Sequence, residues 1–331
     1  MKYFITGATG FIGGRIAEML VQREHEVIAL VRNPTKATNL SDMGVTVVEG
    51  DITDKASMRD PMAGVDGLFH IAAWYKVGAK DNSMAQTINV DGTRNVLELM
   101  KELEIPSGVY TSTVGVFSDT KGQMKDETYQ YRGDDFLSEY ERTKWEAHYK
   151  VAQPMMDDGL PLVIVQPGAV YGPGDTSDLH DLVEQYLQRK LPAIPAGVKL
   201  CWAHVDDIAE GHILAMEKGT PGESYIIAGP PHTLTEYFDT AEKITGIPAP
   251  RIKLPTAMVK ATIPVMSLIE KVVPVPTNFS SEMLRASAGV TYLGDNSKAK
   301  RELGYNPRSL EDGLRETLMY DLDRLGIAAK A

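Results

Sequence analysis

Tyr140 and Lys144 stand four positions apart in Phe136-Leu137-Ser138-Glu139-Tyr140-Glu141-Arg142-Thr143-Lys144-Trp145-Glu146-Ala147-His148, a segment of helix-forming composition. That spacing puts both on one helical face. A lysine ammonium beside a phenol favours the phenolate, so the pair is expected to draw the tyrosine down from about 10 towards working pH, where it can exchange a proton. Upstream, a strand expected over Gly108 to Thr113 ends in three hydroxyls, Thr111, Ser112 and Thr113. At a sheet edge such groups can hydrogen-bond a ligand. Pairs at this spacing also arise by chance on exposed helices, so the elements around them have to decide.

The element that most constrains the rest is Tyr3-Phe4-Ile5-Thr6-Gly7-Ala8-Thr9-Gly10-Phe11-Ile12-Gly13-Gly14. An apolar run meets glycines at every third position, then Ile12, Ile16, Met19 and Leu20 recur at helical spacing, which predicts strand, tight turn and helix. Such a turn lets backbone approach a pyrophosphate, and the helix N-terminus offers it free N–H groups. A second apolar run, Glu26 to Val31, is followed by Arg32, with Lys36 one helical turn on. At this strand end an acid would hold the 2′-hydroxyl of NAD, whereas an arginine suits the 2′-phosphate of NADP. NADP(H) is therefore the expected cofactor, with NAD(H) as the alternative.

Further strands are expected at Val45–Val48, Val65–Ile71, Leu160–Val165 and Ser224–Ala228, alternating with helical segments. This predicts an α/β fold, a Rossmann-type doubly wound parallel sheet. Ala72 and Ala73 at a strand end would let a cofactor lie close, and His70 is expected to bond locally. The polar segment Asp119 to Asp135 reads as a long loop bordering a site, and Gln166 to Asp175 as a shaped loop where the chain leaves the sheet. A helix is expected at Leu179–Lys190, and another opening at Trp202-Ala203-His204-Val205-Asp206-Asp207-Ile208-Ala209, with its acids capping rather than holding a metal. The resulting division is a dinucleotide-binding domain over 1–170, with the chain returning to it at about 201–229. A smaller C-terminal α/β substrate lobe takes 171–200 and 230–331.

Composition narrows the partners. The 331 residues carry a formal charge of −11, so a nucleic-acid partner has no general electrostatic support. The single cysteine, Cys201, cannot form an internal disulfide. With a strand expected from Lys2 or Tyr3, no cleaved leader is expected, and the cytoplasm is the expected compartment. Ala257 to Val275 is broken by Lys260, Pro264, Glu270, Lys271 and Pro274, so it is expected to cover a core or pocket as amphipathic helix rather than span a membrane. No membrane partner and no metal are expected.

With these pieces placed, the chain resembles the extended short-chain dehydrogenase/reductases of the NAD-dependent epimerase/dehydratase family. Thr6 to Gly13 is similar to its TGATGFIG turn, Gly50-Asp51-Ile52 to its adenine contact, and Asn89-Val90-Asp91-Gly92-Thr93 to its NVxGT helix start. Tyr140 and Lys144 fit its YxxxK, Tyr171-Gly172-Pro173 its YGP loop, and His204 to Ala209 and Ser297 to Tyr305 two downstream signatures. The resemblance implies that Tyr140 exchanges a proton with the substrate oxygen and that Lys144 tunes it and holds the nicotinamide ribose. Thr113, or less readily Ser112, would orient the carbonyl. The implied cofactor set is Gly7, Thr9, Gly10, Phe11, Ile12, Gly13, Arg32, Lys36, Asp51, Ile52, Ala72, Ala73, Tyr140, Lys144, Pro167, Gly168 and Val170.

Departures from the family pattern select a branch. Thr113-Val114-Gly115 stands where the dehydratases carry Thr-Asp-Glu, and Ala169 and Leu200 stand near the Asn and Arg by which the epimerases hold a diphosphate. Val31-Arg32-Asn33-Pro34-Thr35-Lys36 is similar to the VRxPxK turn of the dihydroflavonol-4-reductase-like branch. That branch implies NADPH-dependent reduction of a ketone or aldehyde, a small-molecule carbonyl or alcohol being the partner. A nucleotide-sugar epimerase with retained cofactor is the alternative, and a non-enzymatic redox sensor the third reading. Trp74, Tyr75, Thr113, Phe117 and Ala169 are the expected pocket residues, with Tyr129 and Tyr131 as further aromatic walls. A homodimer through helices near 93–104 and 136–153 is the family's habit.

Overall fold

Apolar runs too short for helices, such as Val27-Ile28-Ala29-Leu30-Val31 and Leu162-Val163-Ile164-Val165, form strands buried on both faces. They are seen in a computed structural model that describes residues 1–328. In chain order the strands are β1 (Lys2–Thr6), β2 (Glu26–Val31), β3 (Thr46–Glu49), β4 (Gly67–His70), β5 (Gly108–Thr111), β6 (Leu162–Pro167) and β7 (Ala169–Tyr171). There follow β8 (Ala193–Pro195), β9 (Lys199–His204), β10 (Ser224–Ile227), β11 (Pro231–Thr233), β12 (Ile252–Leu254) and β13 (Thr291–Tyr292). Seven of them form a parallel sheet in the order β10-β6-β5-β4-β1-β2-β3. The strand order reverses beside β1, whose neighbours are β2 and β4, and in such sheets this switch point opens a crevice at the carboxyl ends.

Both faces of the sheet are covered. Ile5, Ala29, Val163 and Val165 meet the helices Phe11–Gln22 and Val205–Lys218, whereas Phe4, Leu68, Tyr110 and Ile164 meet Thr93–Glu102 and the turn Ala147–Ala152. The second lobe has its own core, in which Tyr171, Trp202, Tyr237, Phe238, Leu314 and Leu318 are buried. There β9 lies between β11 and β13 and also pairs with β7. The chain thus leaves the central sheet at β7 and returns at Val205 rather than at about 201, because β9 belongs to the lobe. Trp202 to His204 are correspondingly strand, and the helix begins at Val205, with His204 Nδ1 accepting from the Asp206 amide at 3.3 Å.

The helix expected from Asn89 starts differently. Thr87–Gly92 and Ala147–Ala152 are π-helical turns set within longer helices. The apolar residues of both helices, Val96, Leu97, Leu99, Met100, Val151 and Ala152, are buried within the monomer. Their outer faces carry ion pairs such as Lys55 with Glu98 and Arg142 with Glu146. These apolar residues belong to the core on one face of the central sheet.

Two glycines of the first turn are required by the protein's own backbone. Gly7 has φ +80°, and a Cβ there would lie 2.6 Å from the Ala72 amide nitrogen; one on Gly13 would lie 2.2 Å from the Gly7 carbonyl oxygen. Strand β1, the end of β4 and the first helix meet here without side chains between them. We expect Gly13→Ala to lower stability by about 1–3 kcal/mol, as overpacking against immovable backbone does, read as the shift in a denaturant unfolding midpoint.

Near the same sheet edge, three buried histidines each bond a hydroxyl: His70 Nδ1 with Thr6 (2.7 Å), His148 Nδ1 with Ser112 (2.7 Å) and His212 Nε2 with Thr111 (2.9 Å). Burial pushes all three well below the ordinary imidazole value, to about 3 for His70 and His148 and about 4 for His212, with Lys144 adding repulsion for the first two. The unfolded chain takes up these protons below about 6.5 and the folded chain does not, so stability falls as pH drops through that value. NMR of ring-labelled protein at pH 5 should find these three imidazoles neutral, and protonated rings there would contradict the structure.

Candidate active site

Along the carboxyl ends of the strands runs a cleft of about 550 Å³. The turn after β1 contributes Gly7, Thr9, Gly10, Phe11, Ile12 and Gly13; the end of β2 contributes Arg32, and the segment after β3 Asp51 and Ile52. Ala72, Ala73 and Tyr75 follow β4, Ser112 and Thr113 follow β5, and Pro167, Gly168 and Val170 close the β6 side, with Tyr140 and Lys144 opposite the turn in sequence but in the same cleft. The first helix has no side-chain cap and no acid in its first turn, so its N-terminal amides and partial positive charge meet only the cleft. Arg32 is exposed and makes no ion pair among the described residues.

Tyr140 reaches the cleft from the helix Glu139–Glu146, which Ser138 caps by accepting from the Glu141 amide at 3.1 Å. Thr113 lines the same cleft as Tyr140, and its Oγ1 accepts from the Gly115 amide at 3.0 Å. Lys144 is buried, and its Nζ donates to the Thr111 carbonyl at 2.7 Å and to the Tyr110 hydroxyl at 3.2 Å. An ammonium has three N–H donors, which leaves one for the cleft. Ser112, the other candidate hydroxyl, is engaged with His148, which leaves Thr113 as the cleft hydroxyl without an imidazole partner.

The expected depression of the tyrosine is not what the structure produces. Burial pushes the Tyr140 phenol up to about 12, with Thr113 opposing and Glu141 adding to the rise. Burial also draws Lys144 down to about 7. The four-residue spacing puts the two side chains on one face, but the ammonium is turned to Thr111 and Tyr110, and its own charge is weakened where it lies. At neutral pH the phenol keeps its proton.

Asn89 is the residue whose positioning role the sequence reading left unassigned. Its side-chain oxygen accepts from the Trp74 amide (2.7 Å), and its amide group donates to the Trp74 carbonyl (2.8 Å) and to Thr143 Oγ1 (2.9 Å). One buried side chain thereby ties the loop after β4 to the helix that carries Tyr140 and Lys144. Asp175, Thr176, Ser177 and Leu179 also line the cleft, from the lobe side. Their only sequence signal was a helix-capping pattern, since Asp175 takes the Ser177 amide (2.8 Å) and Ser177 caps the helix Asp178–Leu187.

Several expected pocket residues stand elsewhere. Phe117 is fully buried edge-on to Tyr129, 5.5 Å between ring centroids, and Tyr131 stands edge-on to Phe136 at 5.7 Å. Trp74 is held by its backbone and does not line the cleft, and Ala169 faces the lobe core where β7 pairs with Trp202. Lys36 ends an exposed turn, Pro34–Lys36, capped by Asn33, and lies outside the cleft. The loop 119–135 contributes nothing to the cleft, because it is stitched to the lobe by Thr120 to Thr291 and Lys125 to Leu293. Near the expected capping acids, the Asp206 and Glu316 carboxylates are taken by Arg15 (2.5 Å) and Arg308 (2.9 Å).

Comparison with known proteins agrees with this architecture. The family model described as the NAD dependent epimerase/dehydratase family matches residues 3–228. A Synechocystis sp. protein named "Putative dihydroflavonol 4-reductase" is 32% identical over 330 residues, 96% of this chain and 93% of its own. A Stenotrophomonas maltophilia protein named 2-alkyl-3-oxoalkanoate reductase is 30% identical over 335 residues, covering 95% of this chain and 98% of its own. Among solved structures, that of gox2253 superposes with a TM-score of 0.87 at 28% identity, covering 99% of both chains. The chain belongs to the NAD-dependent epimerase/dehydratase family and is an NAD(P)-dependent oxidoreductase of the extended short-chain dehydrogenase/reductase type.

Proposed function

We propose that this chain reduces a ketone or aldehyde to an alcohol with NADPH, reversibly. The observation that carries this reading is the convergence of Tyr140, Lys144 and Thr113 in the same cleft as an uncapped helix N-terminus and Arg32, which makes no ion pair among the described residues. The glycine turn leaves room for a pyrophosphate against the first helix, and Arg32 stands at the strand end where a 2′-phosphate is read in folds of this kind. When bound, the dinucleotide supplies the hydride. The chain's own part is proton transfer and orientation: Thr113 holds the carbonyl oxygen, and Tyr140 gives it a proton. A phenol held near 12 is in the donating form at neutral pH, which suits the reductive direction, and Lys144, held by Thr111 and Tyr110, keeps one N–H for a ligand in the same cleft.

A relative whose name describes reduction of a 3-oxo group supports the same chemistry. The epimerase alternative finds less support, since Leu200 is buried in the lobe core and Ala169 packs there too. Neither can clamp a diphosphate.

Steady-state assays over a panel of ketones and aldehydes with each cofactor test the reading, and no turnover of any of them by protein that binds NADPH would overturn it. Tyr140→Phe should lower kcat by about 10²–10⁴-fold, the range for losing one acid–base group, while cofactor binding measured by fluorescence titration is kept. Arg32→Asp should cut the preference for NADPH over NADH, as the ratio of kcat/KM values, by roughly 10–100-fold, which corresponds to a charge-assisted hydrogen bond. An unchanged ratio would remove Arg32 from phosphate recognition.

A further inference from the structure

The helix Thr256–Ile269 does not cover a core. Only Val259 along it is buried. A helix on a protein surface ordinarily turns its charged face to water, yet here the outward face reads Ala257, Met258, Ala261, Pro264, Val265, Leu268 and Ile269, all exposed. The apolar surface continues past the helix end, with Val272 84%, Val273 53% and Phe279 60% exposed. Exposed apolar surface this continuous marks an interaction site.

The charges around it point to one kind of partner. Lys253, Lys260 and Lys271 are exposed and unpaired among the described residues, in a chain whose formal charge is −11. The nearby acids are turned to the chain's own neutral donors: Glu270 accepts from the Ser281 amide (2.9 Å) and hydroxyl (2.6 Å), and Glu282 accepts from the Glu139 amide (2.7 Å). A basic-flanked apolar helix face is the pattern of elements that lie in the surface of an anionic bilayer. No helix among the described residues is long and apolar enough to cross a membrane, so such an element would lie on it.

The patch also adjoins the cleft. A Cβ on Gly78 would lie 2.0 Å from Ser280 Oγ, so the loop after β4 rests directly on the end of the apolar segment. Tyr75 and Val77 of that loop line the cleft, and Tyr75 is 54% exposed. Glu282, just beyond Phe279, holds the first amide of the helix bearing Tyr140.

We propose that residues 256–279 are a docking surface for an anionic lipid bilayer, which sets the mouth of the cleft against the membrane. Resting on the carbonyl-reductase reading, the substrate class is then an apolar ketone or aldehyde that partitions into lipid. The test is flotation of the full chain with vesicles of phosphatidylcholine, with and without phosphatidylglycerol. Wild type should float with the phosphatidylglycerol vesicles. The double variant Val265→Asp/Leu268→Asp should bind them at least about tenfold more weakly, with reduction of a small water-soluble aldehyde unchanged. Lys253→Gln/Lys260→Gln/Lys271→Gln should abolish the preference for the anionic lipid. No flotation of wild type, or equal flotation of the aspartate variant, overturns the proposal; so does a wild-type dimer that light scattering shows the aspartate variant to have lost, combined with indifference to vesicles. Flotation needs no turnover, so a chain that floats but reduces no carbonyl would leave the surface standing and remove only the catalytic reading.

Discussion

Three stretches of bare backbone meeting at one point set the geometry of the active site. The Gly7 carbonyl lies where a Gly13 side chain would be, and Ala72 where a Gly7 side chain would be. Because nothing separates them, the first helix starts directly at the end of β1, and the end of β4 crosses close beside it. The helix amides and the carboxyl end of the sheet therefore open into one cleft, at the place where strand order reverses. A side chain at either glycine would part the two strand ends from the helix and widen the cradle that they form.

Around that point, burial rather than charge pairing governs the titratable groups. Lys144, Tyr140 and three histidines crowd the edge of the sheet, and each is shifted towards its neutral form chiefly by loss of water. Hydroxyls make this tolerable. Thr6, Thr111 and Ser112 satisfy the imidazoles, and a buried polar group costs little once it is hydrogen-bonded. The same hydroxyl-rich strand end that reads as a ligand contact is thus largely occupied by the protein, with Thr113 the one that has no imidazole partner.

Much of this was legible from residue types and order. All seven central strands, the glycine turn, Arg32 and the Tyr140–Lys144 helix follow from apolar periodicity and punctuation by glycine, signals that are local. What was not legible depends on distant contacts. Phe117, Trp74 and Ala169 are the small or aromatic residues a pocket would use, but whether a side chain faces a cavity is decided by elements far off in sequence, such as β9 pairing with β7. The direction of the Tyr140 shift failed for a related reason: spacing shows proximity along a helix, not how much water is excluded or where an ammonium turns. The outward apolar face of Thr256–Ile269 has the composition of a core helix, and only its position shows that no core lies against it.

The two π-helical turns, Thr87–Gly92 and Ala147–Ala152, touch each other and interrupt helices that bear Asn89 on one side and follow Lys144 on the other. Each holds one residue more per turn than its surroundings, so the helix beyond is rotated by roughly 100° relative to an uninterrupted one. A single-residue deletion at either turn would convert it to ordinary helix without breaking the chain path. It would also swing the downstream face, Val96 and Leu97 in one case and Met156 in the other, away from the sheet it covers. Gaps of one residue should accordingly be scarce at these positions in relatives that keep the same cleft, even though each turn is, locally, the less stable way to wind a helix.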